Sequence, residues 1–562
     1  MDAEQPMLTL PIPTHARYST LLSDIEKGEI KIPQFQRDFV WTIQKSAALI
    51  DSIIKAYPIG TFIFWDTKDR LRSVRNLGNI ALPDPRDGDV VSFVLDGQQR
   101  LTSLFATLKG LRIERVTGAK EDFSEVYVDL VAGPDEQIVT ADITGKNPDT
   151  CIKLKQLLYG QLKELFAYPE VYHAKLSDYR KRIESYDFSI IKVRDVPIDV
   201  ATEIFTRINV GGKPLTLFEI MVAKTYDEKR DFDLSEKFGT LIASLQPVDY
   251  ETISDATVLQ LISLILASDC KKQTILKLAK AEFIGTWDRA IDALERAIEY
   301  FRGTYRIPVS HLLPYNTLLV PFGYYFYHHP SKPDGAQKLL LEDFFWRCAL
   351  GGRYSSSVES KLAQDIKRIE TILAGQSPNY DWPVDITPEF LIKNGGFNAG
   401  RSFVKAVLCL YAYHQPKSFN DNAMVNIQNN WLKQSNSKNY HHFFPRAYLL
   451  KQGVPESEIN NVLNITVVDD YLNKQKIRAR PPSDYMVEFQ RVNGDLGASM
   501  KSHLIEDLEV FGVWNDDYKA FVRNRAIVVS AELGKRIIAR DIDSQGQVVR
   551  SDDFEEDMTT FE

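Results

Sequence analysis

An α+β chain of several domains is the fold class this sequence predicts, and three observations carry that reading. Residues 90–95 are β-branched or apolar apart from one Ser, and a short polar turn leads from them into an apolar stretch at helical spacing; this is a buried strand running into a helix. Residues 231–410 carry apolar positions three and four apart almost throughout, which is helix. At 562 residues the chain is too long for one core, so roughly two to four domains are expected. The division that follows is an α/β domain over 1–230, a helical spacer over 231–410, a further domain over 411–540 and an acidic tail over 541–562.

In chain order, residues 1–14 hold three prolines and few charges and read as an extended arm. A short amphipathic helix is expected over 20–27. Pro33 then opens an extended entry to Trp41, in which Gln36 and Arg37 stand among Phe35, Phe39 and Trp41. Either these two polar side chains face a ligand while the rings anchor the loop, or the rings are core and Arg37 is in a structural ion pair. Residues 46–56 form a core helix, 62–65 a buried strand, and 76–89, rich in Pro, Gly and Asp, a loop.

The turn after residue 95 is Asp96, Gly97, Gln98, Gln99, Arg100. Gly97 permits backbone angles closed to other residues. A helix N-terminus collects unpaired N–H groups and partial positive charge, so it suits an anion. Arg100 brings a fork that matches phosphate oxygens. Asp96 is suited to a metal or a water, and Gln98 and Gln99 to orienting a ligand without charge. The pattern points to a nucleotide-phosphate site; plain helix capping by Asp96 accounts for the same spacing.

Alternation over 111–141 predicts a hairpin, 152–186 helix, 189–194 a strand, 200–207 a helix and 218–224 the start of another. Arg207 and Asn209 precede the Gly211–Gly212 pair, an arrangement for close approach to phosphate or simply a turn. His328 and His329 lie in an aromatic run with no acid at helical spacing and read as packing residues.

Asn439, Tyr440, His441, His442, Phe443, Phe444 and Pro445 form the second loaded stretch. Adjacent residues of an extended segment point to opposite sides, so one His can touch a metal while the other faces water. Asn464 lies in an apolar run, and Asn473 opens a segment with Lys474 and Lys476. Residues 471–482 hold four bases and no acid.

Net charge is −8, which excludes a uniformly basic nucleic-acid coat but leaves room for a local basic groove. No window approaches about 18 uninterrupted apolar residues, so no membrane-spanning helix is expected. Cys151, Cys270, Cys348 and Cys409 are far apart, form no zinc or disulfide framework and read as buried thiols of a cytoplasmic protein.

Four separated motifs, in order, carry a resemblance. They are Ile32 to Trp41 with Gln36 and Arg37, Tyr57-Pro58-Ile59-Gly60 with Phe62 to Trp65, the Asp96 to Arg100 turn (DGQQR), and Ile204 to Asn209 with the Gly pair. Over roughly residues 10–230 the chain resembles the N-terminal domain of the GmrSD-type, modification-dependent (type IV) restriction systems, related to the ParB/sulfiredoxin-like fold. The resemblance implies binding and hydrolysis of a nucleoside triphosphate, ATP or GTP, at DGQQR, with Gln36, Arg37, Asp96, Gly97, Gln98, Gln99, Arg100, Arg207 and Asn209 as nucleotide-binding residues. The helical region resembles that family's spacer.

The order His-His, Asn, Asn resembles the HNH (ββα-metal) nuclease motif. The likeness makes His442 the general base, His441 and Asn473 the ligands of one divalent metal, Asn464 the residue that holds the loop presenting His442, and Lys476 a phosphate neutraliser. Neutral imidazole takes a proton near neutral pH, and a metal stabilises charge on the leaving oxygen. A His and Asn ligand pair leaves Mg²⁺ or Mn²⁺ open, with Ni²⁺ tolerating imidazole as well as Mn²⁺ does. The expectation is a modification-dependent DNA endonuclease of anti-phage defence, regulated by NTP, with modified phage DNA as partner, no membrane contact and a homodimer left open. The alternatives are a phosphorothioate-sensing nickase, an NTP-switched DNA-binding protein whose nuclease is idle, and a toxin acting on unmodified nucleic acid.

Overall fold

A computed structural model describes residues 10–33, 39–69, 71, 73, 76–77, 80–86, 88–114, 120–133, 135–208, 215–227, 229–429, 440–468 and 476–545. The chain forms two compact units, residues 1–234 and 235–562.

The first unit is built on a mixed five-stranded sheet. Its order is Ile12–Arg17, Asp187–Arg194, Phe62–Thr67, Val91–Asp96 and Ile30–Lys31. The first pair is antiparallel, the second parallel, the third antiparallel and the last parallel. Residues 12–17 are thus an edge strand, not a loose arm. Pro13, one of the three prolines of 1–14, is tolerated in it because an edge strand has one row of unpaired N–H groups. The strand Val91–Asp96, fourth in that order, is buried along its length up to Asp96 and passes through Gly97 into the helix Gln98–Lys109. That helix and Ile43–Ile54 supply Leu101, Leu104, Phe105, Ile50, Ile53 and Ile54 to a core shared with Phe62, Phe64 and Val94 of the sheet. Thr42 caps Ile43–Ile54 by accepting from the Lys45 N–H.

The expected alternation after residue 111 resolves into a hairpin, Arg112–Glu114 with Lys120–Asp122, and a separate three-stranded sheet of Val139–Thr140, Tyr127–Asp129 and Cys151–Lys153. The region read as helix from 152 therefore begins as a strand, before Leu154–Tyr159 and His173–Ser185. Asp51 ties this small sheet to the core helix by accepting from the Ile138 and Val139 N–H groups at 2.6 and 3.0 Å.

In the second unit, Asp255–Ala267, Lys280–Gly303, Leu319–His328, Gly335–Leu350 and Val358–Leu373 are helices, as their periodicity predicts. Phe301, Tyr305, Phe322 and Phe345 pack ring against ring at their centre. His328 and His329 pack on Tyr324 and Tyr325. All four cysteines are free and buried. The fully buried Arg347 binds Asp343 at 2.9 Å and Asp543 at 2.7 Å. Asp543 also accepts from the Val384 N–H. Residues 541–545, at the start of the expected acidic tail, are thereby docked, with Asp543 sharing the buried Arg347 charge with Asp343. Residues 546–562 lie outside the described residues.

The last part of this unit holds a two-stranded antiparallel hairpin, Tyr440–His442 with Ile465–Val467. It rests on an aromatic core of Phe419, Phe443, Phe444, Tyr485, Phe489 and Phe521. No helix among the described residues is long and apolar enough to cross a membrane.

Candidate functional site

At the DGQQR turn, Gly97 has φ of 90°, and a Cβ there would lie 2.5 Å from the Phe62 ring. The turn is open to glycine alone for both reasons. The Arg100 guanidinium donates to the Ile59 carbonyl at 2.8 Å, to the Thr61 carbonyl at 3.0 Å and to the Asp96 carboxylate at 3.0 Å, and it stacks over Phe62. Gly60 lets it come that close, since a Cβ at Gly60 would run into the guanidinium. Three internal acceptors hold this fork. Gln99 accepts from the Val40 N–H at 2.9 Å and donates to Gln98. Gln98 and Gln99 are both buried.

One pentapeptide thus fastens two other motifs, the 57–60 loop through Arg100 and the segment ending at Trp41 through Gln99. Beside these bonds stand the N-terminus of the helix Gln98–Lys109 and the half-exposed Asp96. Gln36 and Arg37 fall outside the described residues, as does Asn209. Arg207 is exposed and paired with Glu203 one turn earlier, the ordinary state of a helix-surface arginine.

In the second unit, His441 and His442 occupy successive positions of the strand Tyr440–His442, opposite Thr466 and Ile465. Their side chains therefore leave on opposite faces. His441 is buried and His442 half-buried. The next residues turn under the control of Asn464. Its carbonyl accepts from the Phe443 N–H at 2.7 Å, and its side-chain Oδ1 accepts from the Phe444 N–H at 2.9 Å. Its Nδ2 donates to the carbonyls of Phe444 and Ile459, each at 3.1 Å. Every polar atom of a fully buried amide is used, and three of the bonds fix the two residues after His442.

Arg525, also fully buried, holds the far side of the hairpin by donating to the carbonyls of Leu463, Ile465 and His503. His442 Nε2 lies 3.2 Å from Asn460 Oδ1. Burial pushes the His442 imidazole below its ordinary range; the Asn460 contact opposes this, and Arg446 adds to it. The ring is neutral at neutral pH, as proton acceptance requires.

Lys476 is exposed, with Glu488 within electrostatic reach. Of the other bases in 471–482, Arg480 is paired with Glu488 at 2.7 Å on the helix Pro482–Val492. The basic run is therefore partly offset by acids outside its own stretch. Asn473 lies outside the described residues. Among the described residues no three His, Cys, Asp or Glu side chains cluster as a metal site. His441 is the one expected ligand that is described.

Asn460 and Arg525 were not singled out from the sequence. Asn460 stands four residues before Asn464 in an Asn-Asn pair, which was the available signal; Arg525, in the middle of a helix, gave none.

The first unit is an α/β domain organised by its DGQQR turn. Residues 18–226 match the family model described as the GmrSD restriction endonuclease, N-terminal domain. The chain is also 25% identical over 545 residues to the uncharacterized protein MJ0686 of Methanocaldococcus jannaschii, a match covering 85% of this chain and 87% of that protein. The likeness therefore extends well past residue 226 into the second unit.

Proposed function

We propose that this chain is a restriction-type DNA endonuclease of antiviral defence, cutting through an HNH-type site in its second unit under control of its GmrSD N-terminal domain. The observation that carries the reading is His442, half-buried at the end of a strand, on a loop whose next two residues are bonded to Asn464.

His442 takes a proton from water as the water oxygen attacks a DNA phosphorus. The phosphorus–oxygen bond opposite breaks, and the leaving oxygen acquires a proton from solvent. Lys476 offsets phosphate charge. A divalent ion, Mg²⁺ or Mn²⁺, held by His441 and Asn473 would stabilise charge on the leaving oxygen. The first unit binds and hydrolyses ATP or GTP at the helix N-terminus after Gly97, with Asp96 in the site and Arg100 as its strut, and senses modified phage DNA.

A cleavage panel tests this: plain, hydroxymethylated, glucosylated and phosphorothioated DNA, each with and without ATP or GTP. Cutting confined to base-modified DNA and altered by nucleotide is expected. Cutting of phosphorothioated DNA alone would favour a nickase cued by the backbone, and no cutting of any substrate would leave a nucleotide-responsive binder. Asp96→Ala that cuts at the wild-type rate with and without nucleotide would remove the gating.

A further inference from the structure

Asn460 is fixed from behind. Its Nδ2 donates to the Phe397 carbonyl at 3.0 Å, and its own carbonyl accepts from the Phe397 N–H at 2.8 Å. The strap that carries Phe397 is itself held: Val462 N–H donates to the Gly395 carbonyl at 2.7 Å, Gly396 bridges to Asn461, and the Phe397 ring packs edge-on against Tyr440. A carbonyl can only accept, so the amide nitrogen of Asn460 must face Phe397. Its Oδ1 then faces His442 Nε2, and an amide oxygen has no proton to give. The bond at 3.2 Å therefore exists only if His442 carries its hydrogen on Nε2.

We infer that Asn460 is a positioning residue that selects the Nε2–H tautomer of His442 and leaves Nδ1 as the bare nitrogen that accepts the proton. Asn460 does not touch the reacting atoms; it acts by fixing which nitrogen of the ring is basic and how the ring is turned. This is the role a hydrogen-bond partner on the second ring nitrogen plays wherever a histidine is a base. The tautomer follows from the hydrogen bonds alone; the catalytic consequence rests on the nuclease reading above.

The test uses the full chain labelled with ¹⁵N-histidine at about pH 8, with the His442 signals assigned by their loss in His442→Gln. The wild-type spectrum should show a protonated Nε2 and an unprotonated Nδ1, with the Nε2–H slow to exchange. Asn460→Ala should lose that slow exchange. On a DNA that the wild type cuts, its kcat should fall about 10–100-fold, the range for losing a partner that orients a ligand or base, with KM changed less than about threefold. Asn460→Asp, which still offers an acceptor to His442, should recover part of the rate.

A wild-type signal protonated at Nδ1 overturns the inference without any variant having to fold. So does an Asn460→Ala protein with an unchanged spectrum and kcat. If the wild type cuts no DNA, the nuclease reading falls instead, and the spectrum alone decides the tautomer.

Discussion

Asn464→Ala is the substitution whose cost can be worked most directly from the hydrogen bonds. The side chain is fully buried and makes three bonds, one accepted from Phe444 N–H and two donated to the Phe444 and Ile459 carbonyls. At a net value of about 1 kcal/mol each, their loss removes roughly 3 kcal/mol, and the Phe444 N–H stranded in the core raises that to about 4 kcal/mol. For a unit of roughly 330 residues the entropy of unfolding is about 0.7 kcal/mol per kelvin, so its melting transition should fall by about 6 °C. Calorimetry of the full chain reads this. The same bonds hold the two residues that follow His442, so DNA cleavage assayed well below the transition should drop more than the loss of stability explains. Asn464→Asp preserves the acceptor for Phe444 but turns a carboxylate oxygen onto two carbonyls, and should be no better than alanine. A melting point within 1 °C of wild type, or an unchanged cleavage rate, would refute the claim that Asn464 sets this loop.

Two further outcomes are expected. Arg100→Lys replaces a planar fork holding two carbonyls and a carboxylate with a single point charge, and should cost the first unit about 2–3 kcal/mol, read as a lower melting transition; a plain phosphate ligand would instead lose nucleotide affinity with little change in stability. His503 is buried, with burial first among the causes that push its imidazole down to about 3, while the Lys417 carbonyl opposes this and Arg525 adds to it. The unfolded chain takes up a proton near pH 6.5 that the folded chain refuses, so this residue's contribution is fully present above about pH 6.5 and is lost as pH falls towards 3, at up to about 1.4 kcal/mol per pH unit. His503→Gln should flatten the fall in melting temperature between pH 6.5 and 5; an identical slope would contradict the assignment.

What the sequence disclosed and what it hid follow the range of the interactions involved. The strand through residue 95, the glycine turn and the helix after it were legible because each depends on neighbours in the chain: a β-branched run, a left-handed glycine, then apolar positions at helical spacing. The helical periodicity of 255–267 and 335–350 was legible for the same reason. The work done by Arg100 was hidden, because its acceptors Ile59 and Thr61 stand about forty residues earlier and are backbone atoms, which no side-chain pattern announces. The edge strand Ile12–Arg17 was hidden by Pro13 and by its pairing with the distant strand Asp187–Arg194. Around His442, the His pair and Asn464 stood out by type and order, whereas the role of Asn460 depends on Phe397, brought from the helical region. Within the charge run at 471–482, Arg480 is offset by Glu488, which lies on the following helix and so outside the run.

The central claim is that His442 is the base of a DNA-cutting site, and one comparison meets it head on. Wild-type chain and His442→Ala, matched for melting temperature, are incubated with base-modified DNA and Mg²⁺ or Mn²⁺, and strand breaks are counted on a gel. The account predicts breaks from the wild type and a loss of about 100-fold or more in the variant, the low end of what a general base contributes. Equal cutting by both proteins, or intact DNA from the wild type with every modification tried, would contradict it.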